Sequence, residues 1–536
     1  TIEREKLKKL FRPVLNIVLH TLGLNKNFPL ALVHAGPEWM GLGIDDLPMM
    51  QGIAQLQLLL GHLNKQDRTG ELITIERDYL ELIIGMGSCP LREPRLALLE
   101  HAPRTWLMSI CDFLHKNDSL VDVRCEKVVS VQREQDKFLM RLALDGRFRL
   151  RLIQQCRLYL KVATLADICN VAGKQLEPWA YKGPARDSQL SWPSQGQPSM
   201  RAWAEWRKFL RSLLSTYGLL VGRHLKSTYK LGKWHSTHQV WQWRGNSRYA
   251  VHEDGQKYWR EGTTLVEMEN GMNLVETPTY PLQVDRRRGQ WKLARDAGGL
   301  SLVSSGVTDI YDRLRGEIYP QVTSPQFTDA EDDLVIATDG SLKHGKGGAA
   351  YVINSIGTPG TIKSVLPVDG AGTHMTSYRT ELIGMLGALL ALQVILREHN
   401  QDWKHLSGML WCDNKGAVTK FNALEDEVPF SLTAANETDS DVLQELRVLR
   451  SRLPITINAA WVKGHQTKCN TREARLNVIA DRLAGTQHSK VGQWATRETS
   501  TMLPNTKAQL VVAGGRYTGP INRKVQHRTS ESRSRP

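Results

Sequence analysis

The sequence contains no Cys-x-x-Cys pair. Its seven cysteines, at 89, 111, 125, 156, 169, 412 and 469, are scattered and odd in number. That argues against a zinc knuckle and for a reducing compartment. His465 and Cys469 lie four apart, too few candidate ligands for a zinc site. No apolar run reaches membrane-spanning length and no signal peptide opens the chain, so the expected location is the nucleus or cytoplasm, with no membrane partner. No internal repeat stands out. The first residue is Thr1 rather than Met, which suggests a fragment or a processed product. Acidic residues are in deficit: 55 Asp and Glu face 70 Lys and Arg, for a net charge of +15. A surplus of that size suits a polyanionic partner. At 536 residues and 41% hydrophobic content the chain is long enough and apolar enough for several folded domains.

What the sequence does have is an apolar run, Leu334 to Thr338, that breaks off at Asp339-Gly340-Ser341. The run predicts a buried strand with Asp339 at its end. A second apolar run, Gly408 to Cys412, ends in Asp413-Asn414, and a third, Ile455 to Val462, leads into Lys463-Gly464-His465. Helical patterns carry Glu381, in Ser377-Tyr378-Arg379-Thr380-Glu381-Leu382, and Asp481, four residues after Asn477. Strand ends and helices thus gather four carboxylates and an imidazole at one edge of a sheet. Packed acids repel and take up protons unless cations neutralise them. An incomplete shell of hard oxygen ligands suits Mg²⁺, with Mn²⁺ as an alternative. Two such ions can hold the attacking and leaving oxygens of an in-line phosphoryl displacement.

The pieces Thr338 to Ser341, Arg379 to Leu382, Cys412 to Asn414, Lys463 to His465 and Asn477 with Asp481, in that order, resemble ribonuclease H of the type carried by retroelement reverse transcriptases, over residues 331–490. The resemblance implies an α/β domain with a mixed five-stranded sheet and flanking helices, and hydrolysis of the RNA strand of RNA–DNA hybrids. It also implies roles. Asp339 would bridge two ions, Asp481 would help hold the one that activates water, and Glu381 and Asp413 would hold the other. His465 would assist proton transfer or product departure. Gly340, Ser341, Ser377, Arg379 and Asn414 would contact the hybrid, as would Asn477; Lys415 and Lys463 would meet phosphates. Thr376 and Ser377 stand where some relatives carry amides. Two rivals remain: a catalytically inactive nucleic-acid-binding remnant, and a DNA nuclease on the same fold.

The rest of the chain predicts four further regions. Residues 1–182 read as a mainly helical post-polymerase region. Gly41 to Leu60 resembles the segment after the thumb of non-LTR-type reverse transcriptases, and the resemblance extends over residues 30–180. Ile44-Asp45-Asp46 is no polymerase aspartate pair, because it lies between Gly- and Pro-containing turns rather than on a strand–turn–strand. Phe138 to Leu144 is strand-like. Residues 183–200, rich in Ser, Gln, Pro and Gly, read as a linker. Residues 201–330 open with a helix carrying Trp203, Trp206, Leu210 and Leu213 on one face, then become a β-rich module in which Trp234, Trp241, Trp243, Trp259 and Trp291 interleave with Lys and Arg. Such a surface stacks bases and tracks phosphates; the same tryptophans serve equally as the core of a small β-domain. Residues 491–536 read as a basic disordered tail. Asp439, Asp441 and Glu445 read as charges at a helix N-terminus rather than ligands. Oligomeric state is not legible.

Overall fold

The computed structural model describes residues 2, 4–35, 37, 40–124, 128–129, 135–170, 173–183, 192–216, 223–229, 231, the strands between 233 and 321, and residues 334–355, 361–368, 375–398, 407–424, 431–432, 434–466, 470–486, 502–512 and 514–521. The chain forms two compact units, one of residues 1–74, 113–125 and 305–536, the other of residues 75–112 and 126–304. The expected single region 1–182 is therefore divided between two bodies.

In chain order the first elements are helices α1 (Arg4–Thr21), α2 (Leu47–Lys65), α3 (Arg68–Ile84) and α4 (Trp106–Lys116), then strand β1 (Ser119–Val123). Helices α5 (Leu139–Asp145), α6 (Leu150–Leu160) and α7 (Met200–Leu213) belong to the second unit. The strand expected over Phe138 to Leu144 is thus a helix. Its buried residues, Leu139, Met140 and Ala143, fall at helical rather than alternating spacing. Helix α7 is capped by Ser199, whose side chain accepts from the Ala202 N–H, and it buries Trp203, Trp206, Leu210 and Leu213 as expected. Beyond it the described strands pair as antiparallel ribbons between Lys233 and Leu293. Trp243 and the cations at 244, 248 and 286–288 lie outside the described residues. Most of the expected linker, residues 184–191, lies outside them too.

The site sits on the sheet of the first unit. Strands β2 (Leu334–Lys343), β3 (Lys346–Ser355) and β4 (Thr361–Val368) run antiparallel in sequence. The β2–β3 hairpin turns through His344 and Gly345, both at positive φ, the geometry that matches strand twist. Helix α8 (Ser377–Glu398) then crosses to β5 (Ser407–Cys412), parallel to β2. Helices α9 (Lys415–Asn422) and α10 (Ser440–Arg452) lead to β6 (Thr456–Trp461), parallel to β5, and helix α11 (Arg472–Thr486) follows. The result is the expected mixed sheet with flanking helices, widened at its outer edge by Tyr319–Gln321, which pairs with β4 to give six strands. Leu382, Met385, Leu386, Leu389 and Leu390 of α8 and Val442, Leu443, Leu446 and Leu449 of α10 are buried in one core with the sheet. On the opposite face Leu476 and Ala480 of α11 pack on Ala337 and Val352. Helix α8 is long and apolar enough to span a membrane by composition, contrary to expectation; 89% of that apolar window is buried within the fold.

Residues 502–512 and 514–521 are not part of the structureless tail expected. Strand β7 (Ala508–Val512) pairs antiparallel with β1, Leu510 opposite Val121, and Gly515–Arg516 returns along it. Its apolar run is short, and the basic residues that dominate the reading of this region, Arg523 onward, lie outside the described residues. Asn64 of α2 fastens β7: its Oδ1 accepts from the N–H groups of Lys507 and Ala508, both at 2.9 Å, and its Nδ2 donates to the Ala508 carbonyl at 2.9 Å. Leu510 is fully buried. Leu510→Ala is expected to cost about 2–5 kcal/mol in denaturant unfolding, the usual range for such a cavity, whereas the same change in a loose tail would cost nothing.

Candidate active site

The site arises from a mismatch in strand length. The ladder between β2 and β5 stops at Thr338 opposite Cys412, while β2 continues beside β3 to Lys343. Asp339 is therefore not at the end of its strand, as expected, but in its middle. It is the first residue of β2 with no neighbour on the β5 side. A notch opens there, outside the carboxyl ends of the parallel strands, where ligands bind in open α/β sheets. Asp413, the residue after β5, lies at the same notch.

Glu381 reaches it from the first turns of α8. A Cβ on Gly340 would lie 2.4 Å from Thr380 Oγ1 and 2.5 Å from the Glu381 backbone nitrogen, so only glycine lets helix and strand approach this closely. The Gly340 N–H in turn donates to the Glu381 carboxylate. Glu381 and Asp413 offer oxygens within 4.8 Å of each other and of the Cys412 sulfur. The Cys412 thiol is pushed well up by burial and by Glu381, and it donates to Glu381 Oε2 at 3.6 Å. On the bend after β6, His465 has positive φ and an exposed ring whose Nδ1 lies 3.2 Å from Asp481 Oδ2. Asp481, on α11, is half-exposed.

Burial and crowding dominate the electrostatics. Asp339 is pushed up to about 8, first by burial and then by Asp413 and Asp481. Burial raises Glu381 well above the carboxylate range, reinforced by Asp339 and Asp413. Burial also raises Asp413, against the downward pull of His465. Acids in this state hold protons, and a divalent cation would release them. The donor set, carboxylate oxygens in a partly open notch, fits a hard divalent cation held by Glu381 and Asp413, with Asp339 and Asp481 alongside.

The other expected residues divide. Ser377 and Lys415 are exposed, and Gly340, Ser341 and Asn414 are half-buried at the notch. Asn414 caps α9 by accepting from the Ala417 N–H at 3.1 Å. Arg379 is corrected: its guanidinium is buried and engaged with Asp439 and Asp441, and it has no face for a nucleic acid. Those two acids lie at the N-terminus of α10 as expected, Asp439 at its cap and Asp441 in its first turn. Asp441, in spite of burial, is held below the usual carboxylate range by Arg379, whereas burial pushes Asp439 up to about 6 against the same pull. Beyond that expectation, they form an internal ion network with Arg379. Removing one member of such a network typically costs about 3–5 kcal/mol. Glu445 is likewise buried, accepting from Asn505. Asn477 is 1% exposed, out of reach of a hybrid, and its Oδ1 has no hydrogen-bond partner among the described residues. His465 and Cys469 remain a pair without a role, since Cys469 lies outside the described residues.

One residue escapes the motif reading. Trp461 ends β6 with its side chain 43% exposed, its indole N–H donating to the Asp413 carbonyl at 2.8 Å. The Lys415 ammonium sits 4.5 Å from its ring centroid. Alternation does not announce it: Thr456 and Asn458 point outward, and by parity Ala460 rather than Trp461 belongs to that face.

No family model and no curated protein matches the chain. Among solved structures, the N-terminal RNase H domain of a Mycobacterium tuberculosis protein, as a fusion with maltose-binding protein, is 18% identical, with 31% of this chain and 99% of that one covered at a TM-score of 0.22. LC11-RNase H1, isolated from compost and in complex with an RNA/DNA hybrid, is 14% identical over 29% of this chain and 99% of its own, at 0.22. The prototype foamy virus protease-reverse transcriptase is 19% identical over 32% of this chain and 22% of its own, at 0.21. At such scores the functional reading rests on the residues of this chain.

Two outcomes follow from the electrostatics. Asp339 has a raised native pKa, so the metal-free native state binds the extra proton between about pH 4 and pH 8. Stability contributed by that proton is full below pH 4 and lost as the pH rises through 8. Asp339→Asn is expected to flatten this slope in pH-dependent unfolding, and added Mg²⁺ to offset it in the parent. A Cβ on Gly464 would lie 2.2 Å from Asp413 Oδ2. Gly464→Ala is therefore expected to displace that carboxylate and weaken divalent-cation binding in calorimetry, with little change in melting temperature.

Proposed function

We propose that this chain hydrolyses the RNA strand of RNA–DNA hybrids at the β2–β5 notch, as the nuclease portion of a retroelement-derived protein. The observation that carries this reading is the convergence of Asp339 from mid-β2, Asp413 from just after β5, and Glu381 and Asp481 from two helices, with burial and mutual repulsion driving three of them upward. A cluster of that kind is tolerable with divalent cations in place. When bound, two Mg²⁺ ions would activate water and stabilise the leaving 3′ oxygen.

The chain's own groups do the rest. Asp339, fixed by the ladder to β3, presents its carboxylate where the β5 ladder has ended. Glu381 is oriented by the Gly340 N–H and the Cys412 thiol. Asp413 is oriented through its backbone carbonyl by Trp461. His465 stands in solvent at the rim, tethered loosely to Asp481, positioned to assist proton transfer or product departure. Lys415, Lys463 and the Trp461 edge form the exposed cationic and aromatic margin that meets phosphates. The motif resemblance over residues 331–490 supplies the hybrid as substrate; A-form-like duplexes are recognised by shape and 2′-hydroxyls.

The test is a labelled hybrid incubated with the full chain and Mg²⁺. The strand cut is expected to be RNA, leaving 3′-hydroxyl and 5′-phosphate ends. Asp413→Asn should lower the rate by at least about 100-fold, or about 2.7 kcal/mol of barrier, and His465→Ala by less. Binding without metal-dependent cleavage, or equal cutting of duplex DNA, overturns the proposal.

A further inference from the structure

Residues two apart on a helix face different ways, and the first turns of α8 use this. Glu381 faces the notch. Arg379 faces α10, where Nη1 and Nη2 donate to Asp441 Oδ1 and Oδ2, both at 2.9 Å, and Nη1 also donates to Asp439 Oδ1 at 3.0 Å. Thr376 closes the link: its hydroxyl accepts from the Arg379 N–H at 3.0 Å and donates to Asp439 Oδ2 at 3.3 Å. The helix that carries a candidate metal ligand is thus anchored by a forked contact two residues upstream.

The anchor has an outer support. Asp439 adopts a left-handed conformation, and its N–H donates to the Thr518 carbonyl at 2.7 Å. One turn into α10, Gln444 donates to the Asn64 carbonyl at 3.2 Å, and Asn64 holds Lys507 and Ala508. Between these elements lies a partly open cavity lined by Asn64, Asp441 and Gln444 together with the apolar Leu60 and Leu510. Arg379, Asp439 and Asp441 are themselves buried, and charged contacts between buried groups are stronger than in water.

We propose that Arg379 is a positioning residue for Glu381, and that the segment 502–521, fastened by Asn64, keeps Arg379 in place. Divalent-cation affinity at the notch then depends on residues that never touch the cation. This rests on the reading of the notch as a metal site.

The test uses the full chain and Mn²⁺, with binding followed by electron paramagnetic resonance and by calorimetry, so that turnover is not needed. Thermal unfolding is measured beside it. Arg379→Lys keeps the charge and loses the fork; it is expected to weaken Mn²⁺ binding by about tenfold, as outer-shell changes do, with KM for the hybrid unchanged at saturating metal. Asn64→Ala is expected to shift affinity the same way by a smaller factor. The double variant should fall short of the product of the two shifts, because both act along one route. A folded Arg379→Lys protein that binds Mn²⁺ as tightly as the parent overturns the inference, whatever its melting temperature. Should that variant not fold, Thr376→Val reads the same link, and unchanged Mn²⁺ affinity there overturns it equally. If the parent itself neither binds Mn²⁺ nor cuts hybrid, it is the reading of the notch that fails; if the parent does both and the variants match it, only this inference fails.

Discussion

Like charges forced together at a sheet edge are the constraint from which the rest of this unit takes its form. Asp339 and Glu381 belong to elements whose core side is apolar and buried, and Asp413 directly follows one, so their backbones are held together at the notch. Every local feature around them softens or uses that repulsion. The short β5 leaves the notch open on one side. Gly340 brings a backbone N–H to Glu381, and His465 draws Asp413 down. A divalent cation bound among these acids would relieve that repulsion and so stabilise the fold.

The terminal domain was largely legible because its signals are local. Apolar runs ending in acids, helical spacing in α8 and α10, and the Lys-Gly-His turn after β6 each sit within a few residues. The order of strands and helices follows from them. What was not legible depends on partners remote in sequence. Arg379 and Asp441 look like surface charges because nothing within a helical turn of either announces the other; they meet only when α8 and α10 pack. Asn477 lies four residues before an acid that reaches the notch, yet its own side chain is turned into the protein. Trp461 breaks the alternation of β6, so in the sequence it reads only as part of an apolar run.

The N-terminal and C-terminal regions fail for the same reason. Residues 119–123 and 508–512 carry too little periodicity alone to predict a strand, and each acquires its meaning from the other. The α5 helix shows a different failure. Its short apolar sequence suits either state, and only the spacing of its buried residues decides.

The pairing of β1 with β7 has a consequence for synthesis. A ladder joining Val121 to Leu510 cannot close while the ribosome is still making the chain between them. Until then the β1 edge offers unpaired backbone groups to any passing strand, a known route to aggregation. Chains stopped short of residue 508 would keep that edge open permanently, so synthesis of residues 508–512 is required before this ladder of the unit can close.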